Sequence, residues 1–473
     1  MTGRRRFLVC PILLATRGGS WMCSEHFCSN YRVANHESHE ITKTTKKSLI
    51  SCLSCFRVFR VLCVCLVAGG IELRAADWPQ FRGPTGQGHS SETGLPLEWS
   101  ESRNVVWKAA VPGRGWSSPV VAGGRVWLTT ATHRGAGAPG LNDNRGASLR
   151  TLAFDIETGR EIVNVEVVHL RSADLTNAKN SHASPTPIVD GDRVYVHFGA
   201  EGTAALTTSG DLLWKTRLPY QSQHGNGGSP ALYGDLLIVS CDGSDDAFVA
   251  ALDTRTGKVR WKASRRQPFD QAYSTPLVIR VGDRDEIVSV GAYRAAAYDP
   301  QNGKEIWRVA YADGFSNVPR PVYGHGLVYI ATGFNQPSLV AVRADGTGDV
   351  TKTHVAWTLR RAAPLTPSPL LVGDELYVVN DAGIATCLDA KTGEPRWIQR
   401  LGGGDYSASP VLADGRIYFL SESGVATVIA PGKEFRRLAT NTLDGDTLAS
   451  MAISAGSIFI RSDSHLYRIA EKR

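Results

Sequence analysis

The sequence predicts an all-β protein: an eight-bladed β-propeller of four-stranded antiparallel blades, its ring closed by an N-terminal strand near Trp107. Three observations carry this expectation. A turn-and-tryptophan unit recurs along the chain, a small residue followed by proline marks eight starts, and glycine is abundant (48 residues) while helix-period patterns are scarce.

The clearest unit is Leu252-Asp253-Thr254-Arg255-Thr256-Gly257-Lys258-Val259-Arg260-Trp261. Its Asp and Thr-Gly are turn formers, the carboxylate bonding backbone N–H groups ahead and the glycine accepting positive φ. Val259 and Trp261 then alternate with Lys258 and Arg260, the period of a half-buried strand. The unit returns as Tyr298 to Trp307 and Leu388 to Trp397. Weaker copies are Phe154 to Gly159, Thr208 to Trp214, Ala344 to Gly346 with a late Trp357, and Ala430 to Gly432 with Phe435.

Before each copy stand a small residue and Pro, a β-rich run, a Gly turn and a second β-rich run. Ser118-Pro119 opens the best example; Thr186-Pro187, Ser229-Pro230, Thr275-Pro276, Arg320-Pro321, Ser368-Pro369, Ser409-Pro410 and a degenerate Met451-Ala452 follow. From Pro187 the intervals are 43, 46, 45, 48, 41 and 42 residues, the length of a four-stranded blade.

Charge and cysteine divide the 473 residues in two. Residues 1–75 hold 11 Lys/Arg and 4 Asp/Glu, so the whole net charge of +7 lies there and the remainder balances at 41 against 41. No basic surface for nucleic acid is implied. Seven cysteines also precede residue 75, leaving Cys241 and Cys387. Lys46-Lys47, Arg57, Arg60 and the apolar run Val61 to Ala68 have the order of a secretory signal, too short to span a bilayer. The division expected is a leader over 1–75, with the signal at about 46–75 and an unexplained extension upstream, and a propeller over 76–473 without a transmembrane helix.

Asp77-Trp78-Pro79-Gln80-Phe81-Arg82-Gly83-Pro84 opens the second region as a Gly- and Pro-rich loop whose aromatics must pack against something. Val105 to Ala109 then reads as an outer strand with no first three strands ahead of it. The last repeat, from Ala452, stops before a fourth strand, so the strand at Trp107 closes the ring and leaves no open edge. Pro119 to Pro187 is long, 68 residues, with its excess in Thr132 to Arg150 and Val168 to His182; a smaller excess lies between Gly346 and Trp357. Long loops on a rigid ring are often functional.

With its turn and its Trp, the unit resembles the repeat of pyrroloquinoline-quinone (PQQ) dehydrogenases and of the propeller lipoprotein in the outer-membrane β-barrel assembly machinery. Its opening motif looks like that of secreted PQQ-repeat proteins of planctomycete-type bacteria. The dehydrogenase branch implies a quinone in the central channel beneath a ring of adjacent cysteines, with Ca²⁺ and an Asp base. This chain departs from that pattern, since Cys241 and Cys387 lie three blades apart.

In a propeller, residues just before each small-Pro mark ring one channel mouth. They nominate Trp116, Asn180, His182, His224, Asn226, Tyr273 and Tyr406 for ligand contact, a polar set suited to a small polar ligand or a peptide loop. His182 and His224, from adjacent blades, are candidates for acid/base work or metal ligation, with Asp405 as a further candidate base. Asp242, Asp245 and Asp246 are candidate metal ligands, against an ordinary hairpin role for an Asp-Gly-Ser turn. Trp107, Trp214, Trp261, Trp307, Trp357 and Trp397 occupy equivalent places and are expected to wedge neighbouring blades together. The function expected is a binding or scaffold module, monomeric and exported to the periplasm or another extracytoplasmic location, that holds a protein partner or small polar ligand. The alternative is a PQQ- and calcium-dependent alcohol or sugar dehydrogenase.

Overall fold

The computed structural model describes residues 76–471 apart from 134–145, 175, 266–267 and 313. The expected leader over 1–75 lies outside the described residues, as do residues 134–145 of the long Thr132 to Arg150 loop.

Eight antiparallel sheets follow one another along the chain. Their innermost strands are Val120–Ala122, Ile188–Asp190, Ala231–Tyr233, Leu277–Val281, Val322–Gly324, Leu370–Val372, Val411–Ala413 and Ala452–Ser454, each directly after a small-Pro mark or its degenerate form. Middle strands such as Leu327–Thr332 are buried throughout, because a neighbouring blade covers each face. Outermost strands such as Val105–Ala110 alternate half-buried with exposed residues. Val105–Ala110 is also the closing strand: it pairs antiparallel with His465–Ile469 and completes the eighth blade. Among the described residues, no helix is long and apolar enough to cross a membrane.

The repeated tryptophans dock blade to blade. Trp107, Trp214, Trp261, Trp357 and Trp397 each donate the indole N–H to a turn carbonyl of the next blade: Ile156, Thr254, Pro300, Ala390 and Gly432, at 2.8 to 3.1 Å. At Trp107, Trp214, Trp261 and Trp357 the turn glycine, Gly159, Gly257, Gly303 or Gly393, lies against the ring and leaves no room for a Cβ, whereas Gly432 at Trp397 has nothing within 4 Å of that position. A Cβ on Gly303 would sit 2.5 Å from Trp261 Cε3, with φ at +72°. The turn Asp sets the carbonyl's position. Asp253 Oδ1 accepts the N–H and the hydroxyl of Thr256, both at 2.8 Å, and these bonds hold its carboxyl below the usual range.

Trp307 departs from the pattern. It donates to Glu286 Oε2 of its own blade at 2.8 Å. The excess between Gly346 and Trp357 explains why: Gly348–Asp349 adds a parallel fifth strand to the outer edge of Glu305–Ala310, and Val350 packs with Trp307 in one core cluster.

The opening motif runs inside the ring. Trp78 pairs with Val121 of blade one, Pro79 O accepts Val189 N of blade two, and Gln87 Oε1 accepts Tyr323 N of blade five. Arg82 donates to Pro369 O at 2.7 Å, Gly88 O accepts Leu412 N–H of blade seven, and Ser90 N–H donates to Leu412 O. The segment thus satisfies inner-strand edges that would otherwise face an empty channel.

Gly303→Ala is expected to cost more than Gly282→Ala. Gly282 also has positive φ but nothing within 4 Å of its Cβ, so only backbone strain of about 1–2 kcal/mol applies. At Gly303 the clash with Trp261 adds about 1–3 kcal/mol. Urea unfolding of both variants measures the difference, and equal losses would mean that the docked turn does not hold the blades.

Candidate functional site

The small residue before each proline builds the channel wall. Ser118 N–H donates to Thr186 Oγ1, Thr186 N–H to Ser229 Oγ and Ser229 N–H to Thr275 Oγ1, each at 2.9 Å. After a gap the belt resumes: Arg320 N–H to Ser368 Oγ, Ser368 N–H to Ser409 Oγ, Ser409 N–H to Ser450 Oγ, and Ser450 N–H to Ser118 Oγ, at 2.9 to 3.1 Å. The gap falls where blade five carries Arg320, which has no hydroxyl to accept from Thr275.

This belt rings a cavity of about 550 Å³ whose floor includes Phe81 of the opening motif. Trp116, Tyr273, Phe315 and Phe334 supply aromatic surface to the wall; Asn177, Asn180, His224 and Thr366 supply hydrogen-bonding groups. The carboxylate in the wall, Asp381, accepts Leu365 N–H and both the N–H and the hydroxyl of Thr366. Its pKa is raised, burial outweighing those bonds.

Part of the long Val168 to His182 excess crosses the mouth. Asn177 N–H donates to His224 O, and Lys179 reaches blade seven, pairing with Glu422 at 2.9 Å and Asp405 at 3.3 Å. Beyond Lys179 lies a second, more open cavity of about 900 Å³ whose lining includes Arg114, Asp405, Glu422, Asp446 and Asp463. Trp116, Lys179 and Leu448 line both spaces.

Of the nominated residues, Trp116, Asn180, His224 and Tyr273 line the central cavity together. His182 does not stand with His224; it is buried toward a neighbouring cavity with Asp174 and Glu201, and burial lowers its pKa. Asn226 is buried with its amide donating to Phe198 O at 2.8 Å. Tyr406 is buried in the core cluster of blades six and seven, its hydroxyl donating to Gly402 O. Both stand in connections before an inner strand and not in a strand, and the backbone bonds of Asn226 N–H to Ser181 O and of Tyr406 N–H to Asp381 O fix those connections with the side chain turned into the wall. Asp405 is exposed in the second cavity.

The three candidate metal ligands diverge. Asp242 is buried beside Arg265 Nε at 2.9 Å, Asp245 accepts Gln221 N–H, and Asp246 pairs with Lys262 at 2.8 Å. Among the described residues no group of three or more His, Cys, Asp or Glu is arranged to hold a metal. Phe81, Lys179, Asp381, Phe315 and Phe334 were not nominated. The opening motif's aromatics and the loop excess were the signals for Phe81 and Lys179.

The pattern of the family described as outer membrane protein assembly factor BamB matches residues 91–227, 148–284 and 245–473, which together span most of the chain. The chain belongs to the BamB family of PQQ-type repeat proteins. Among solved structures, this BamB-family propeller is similar to BamB from Moraxella catarrhalis: 13% identity, TM-score 0.53, covering 77% of this chain and 99% of that one. It is also similar to a europium-containing methanol dehydrogenase, at 13% identity and TM-score 0.49, over 75% of this chain and 89% of the other. At this identity the likeness to BamB carries the fold alone. No curated protein matches the chain in sequence.

The quinone and calcium implied by the dehydrogenase resemblance do not fit the side chains of this BamB-family cavity. A tricarboxylate wants several free cations in contact at the wall; among the described lining residues the cation is Lys179, which is committed to two carboxylates. Calcium wants converging oxygens, and both Asp381 oxygens already accept hydrogen bonds. Cys241 and Cys387 are separate buried thiols.

Below the wall, a void of about 10 Å³ is lined by residues that include both His197 and Asp242. Burial pushes His197 down to about 4 and Asp242 up to about 6. For His197, the neutral folded form contributes stability above about 6.5 that is lost as pH falls toward 4. For Asp242 the sign is opposite, its contribution being present near pH 4 and lost as pH rises through 6. Relative to the unmutated protein, His197→Phe should therefore gain stability as pH falls through this window, and Asp242→Asn should lose it. Each change is on the order of 3 kcal/mol across the window. Urea unfolding at several pH values checks this; parallel curves for both variants would overturn it.

Proposed function

We propose that this chain is an exported, monomeric propeller that acts as a binding or scaffold module, holding a protein segment or small polar ligand at its channel mouth. The observation that supports this best is the cavity itself, which has a floor at Phe81 and a wall of hydroxyl, amide and aromatic groups. Closure of the ring by the chain's own strand at Trp107 supports a monomer. The signal-like order of residues 46–75 supports a periplasmic location, and the assembly role in the BamB description supports a protein partner.

Val318→Trp tests the site, because Val318 lines the cavity and its replacement fills space. A set of small polar ligands and short peptides is followed by thermal unfolding on both proteins. A true occupant at about 100 times its dissociation constant stabilises by about 2.7 kcal/mol. That gain should appear in the unmutated protein and vanish in Val318→Trp. Equal gains in both would place binding elsewhere and sink the proposal. A titration with PQQ and Ca²⁺ is expected to leave the midpoint unchanged; a calcium-dependent rise would bring back the dehydrogenase reading.

A further inference from the structure

The hydroxyl belt has a chemical asymmetry. Each of its hydroxyl oxygens accepts an N–H from the preceding blade, or from blade eight in the case of Ser118, and among the described residues none donates its own proton to a protein acceptor. All of them are more than nine-tenths buried and all line the central cavity. The cup therefore presents a ring of O–H donors with no acceptor supplied to meet them.

Three buried arginines lie outside the cavity's lining and add positive charge behind it. Arg320 occupies the blade-five place in the belt and is buried, its guanidinium donating to Phe81 O at 2.8 Å. Arg82, adjacent to Phe81 in the chain, is buried and bonds only to carbonyl oxygens. Arg461, between blades eight and one, is buried and donates to Ser117 and Thr129. Among the described residues none of the three has a carboxylate partner within an ion-pair distance, and the Nε of each lacks any partner. The carboxylate lining the cavity, Asp381, has both oxygens already hydrogen-bonded to Leu365 and Thr366.

Donor protons and uncompensated buried guanidiniums both favour negative charge or acceptor oxygen on the axis. We infer that the hydroxyl ring is an oxyanion seat, and that the occupant of the cup carries a carboxylate held on the axis above Phe81. This rests on the cup being the binding site and adds the class of its ligand. A carboxylate fits the seat because its oxygens accept several O–H bonds at once, and such bonds to a charged acceptor are about twice as strong as neutral ones. The carboxylate belongs either to a small acid or to the end of a peptide chain.

Calorimetric titration with two matched pairs separates these sources: gluconate against gluconamide, and Ala-Ala-Phe with a free against an amidated C terminus. At least one free acid should bind about tenfold or more tightly than its amide, and the pair showing the difference names the source. Arg320→Met should weaken that acid several-fold while leaving the amide unchanged. If Arg320→Met fails to fold, Ser229→Ala, which removes one donor, should weaken it about threefold to tenfold. Acid and amide binding equally, or neither acid binding, overturns the oxyanion seat. Equal binding abolished by Val318→Trp leaves the cup as the site and removes only the carboxylate. Binding that survives Val318→Trp removes the cup as well.

Discussion

The ring depends on one contact made repeatedly: an outer-strand indole lying flat on the next blade's turn glycine while its N–H bonds that turn's carbonyl. A blade alone exposes two apolar faces and is not stable. Stacking against neighbours buries both, and the tryptophan is the largest apolar surface available at the rim. Direction matters as much as area. Among the described residues the N–H ties one blade to the next at five of the eight junctions, fixing rotation there as well as burying area.

At the inner rim the same task falls to hydroxyls. An inner strand leaves its first N–H facing the neighbouring blade, and the Ser or Thr of that neighbour accepts it. Proline after it has no N–H and a fixed φ, so it adds no second donor to satisfy. Indole at the outside and hydroxyl at the inside hold each blade at two radii. Where blade five breaks both rules, the compensation is visible. Its Arg320 bonds the opening motif instead of continuing the belt, and on its outer side the Gly348–Asp349 strand and Val350 cover Trp307 in place of a docked turn.

The opening motif converts a ring into a cup. Channel-facing strand edges demand hydrogen-bond partners, and Trp78 to Gly88 supplies them across blades far apart in sequence. Floor and wall then come from different physical needs: the floor from edge satisfaction, the wall from blade docking. A binding cavity results from the meeting of the two, which is how the repeats can be architecture while one site remains unique.

Repetition made the fold legible. Asp253 to Trp261, its copies and the small-Pro spacing repeat one local solution, so turn chemistry and strand period suffice for eight blades, and the unpaired strand at Trp107 had one place to go. The cup's rim was half legible. Trp116, Asn180, His224 and Tyr273 face the cavity as their places before each start imply, whereas Asn226 and Tyr406 turn into the walls because bonds to distant backbone, Ser181 O and Asp381 O, fix the loops that carry them. The opening aromatics and the loop excess single out the segments of Phe81 and Lys179, but nothing local says that Phe81 becomes a floor, that Lys179 crosses to Glu422 or that Arg320 interrupts a belt. Sequence by itself determined the number of blades, their turns and their closing strand, since those depend on interactions within a repeat or between adjacent ones. Tertiary structure alone decided what fills the channel and what crosses its mouth, because those contacts join residues hundreds of positions apart that only ring closure brings together.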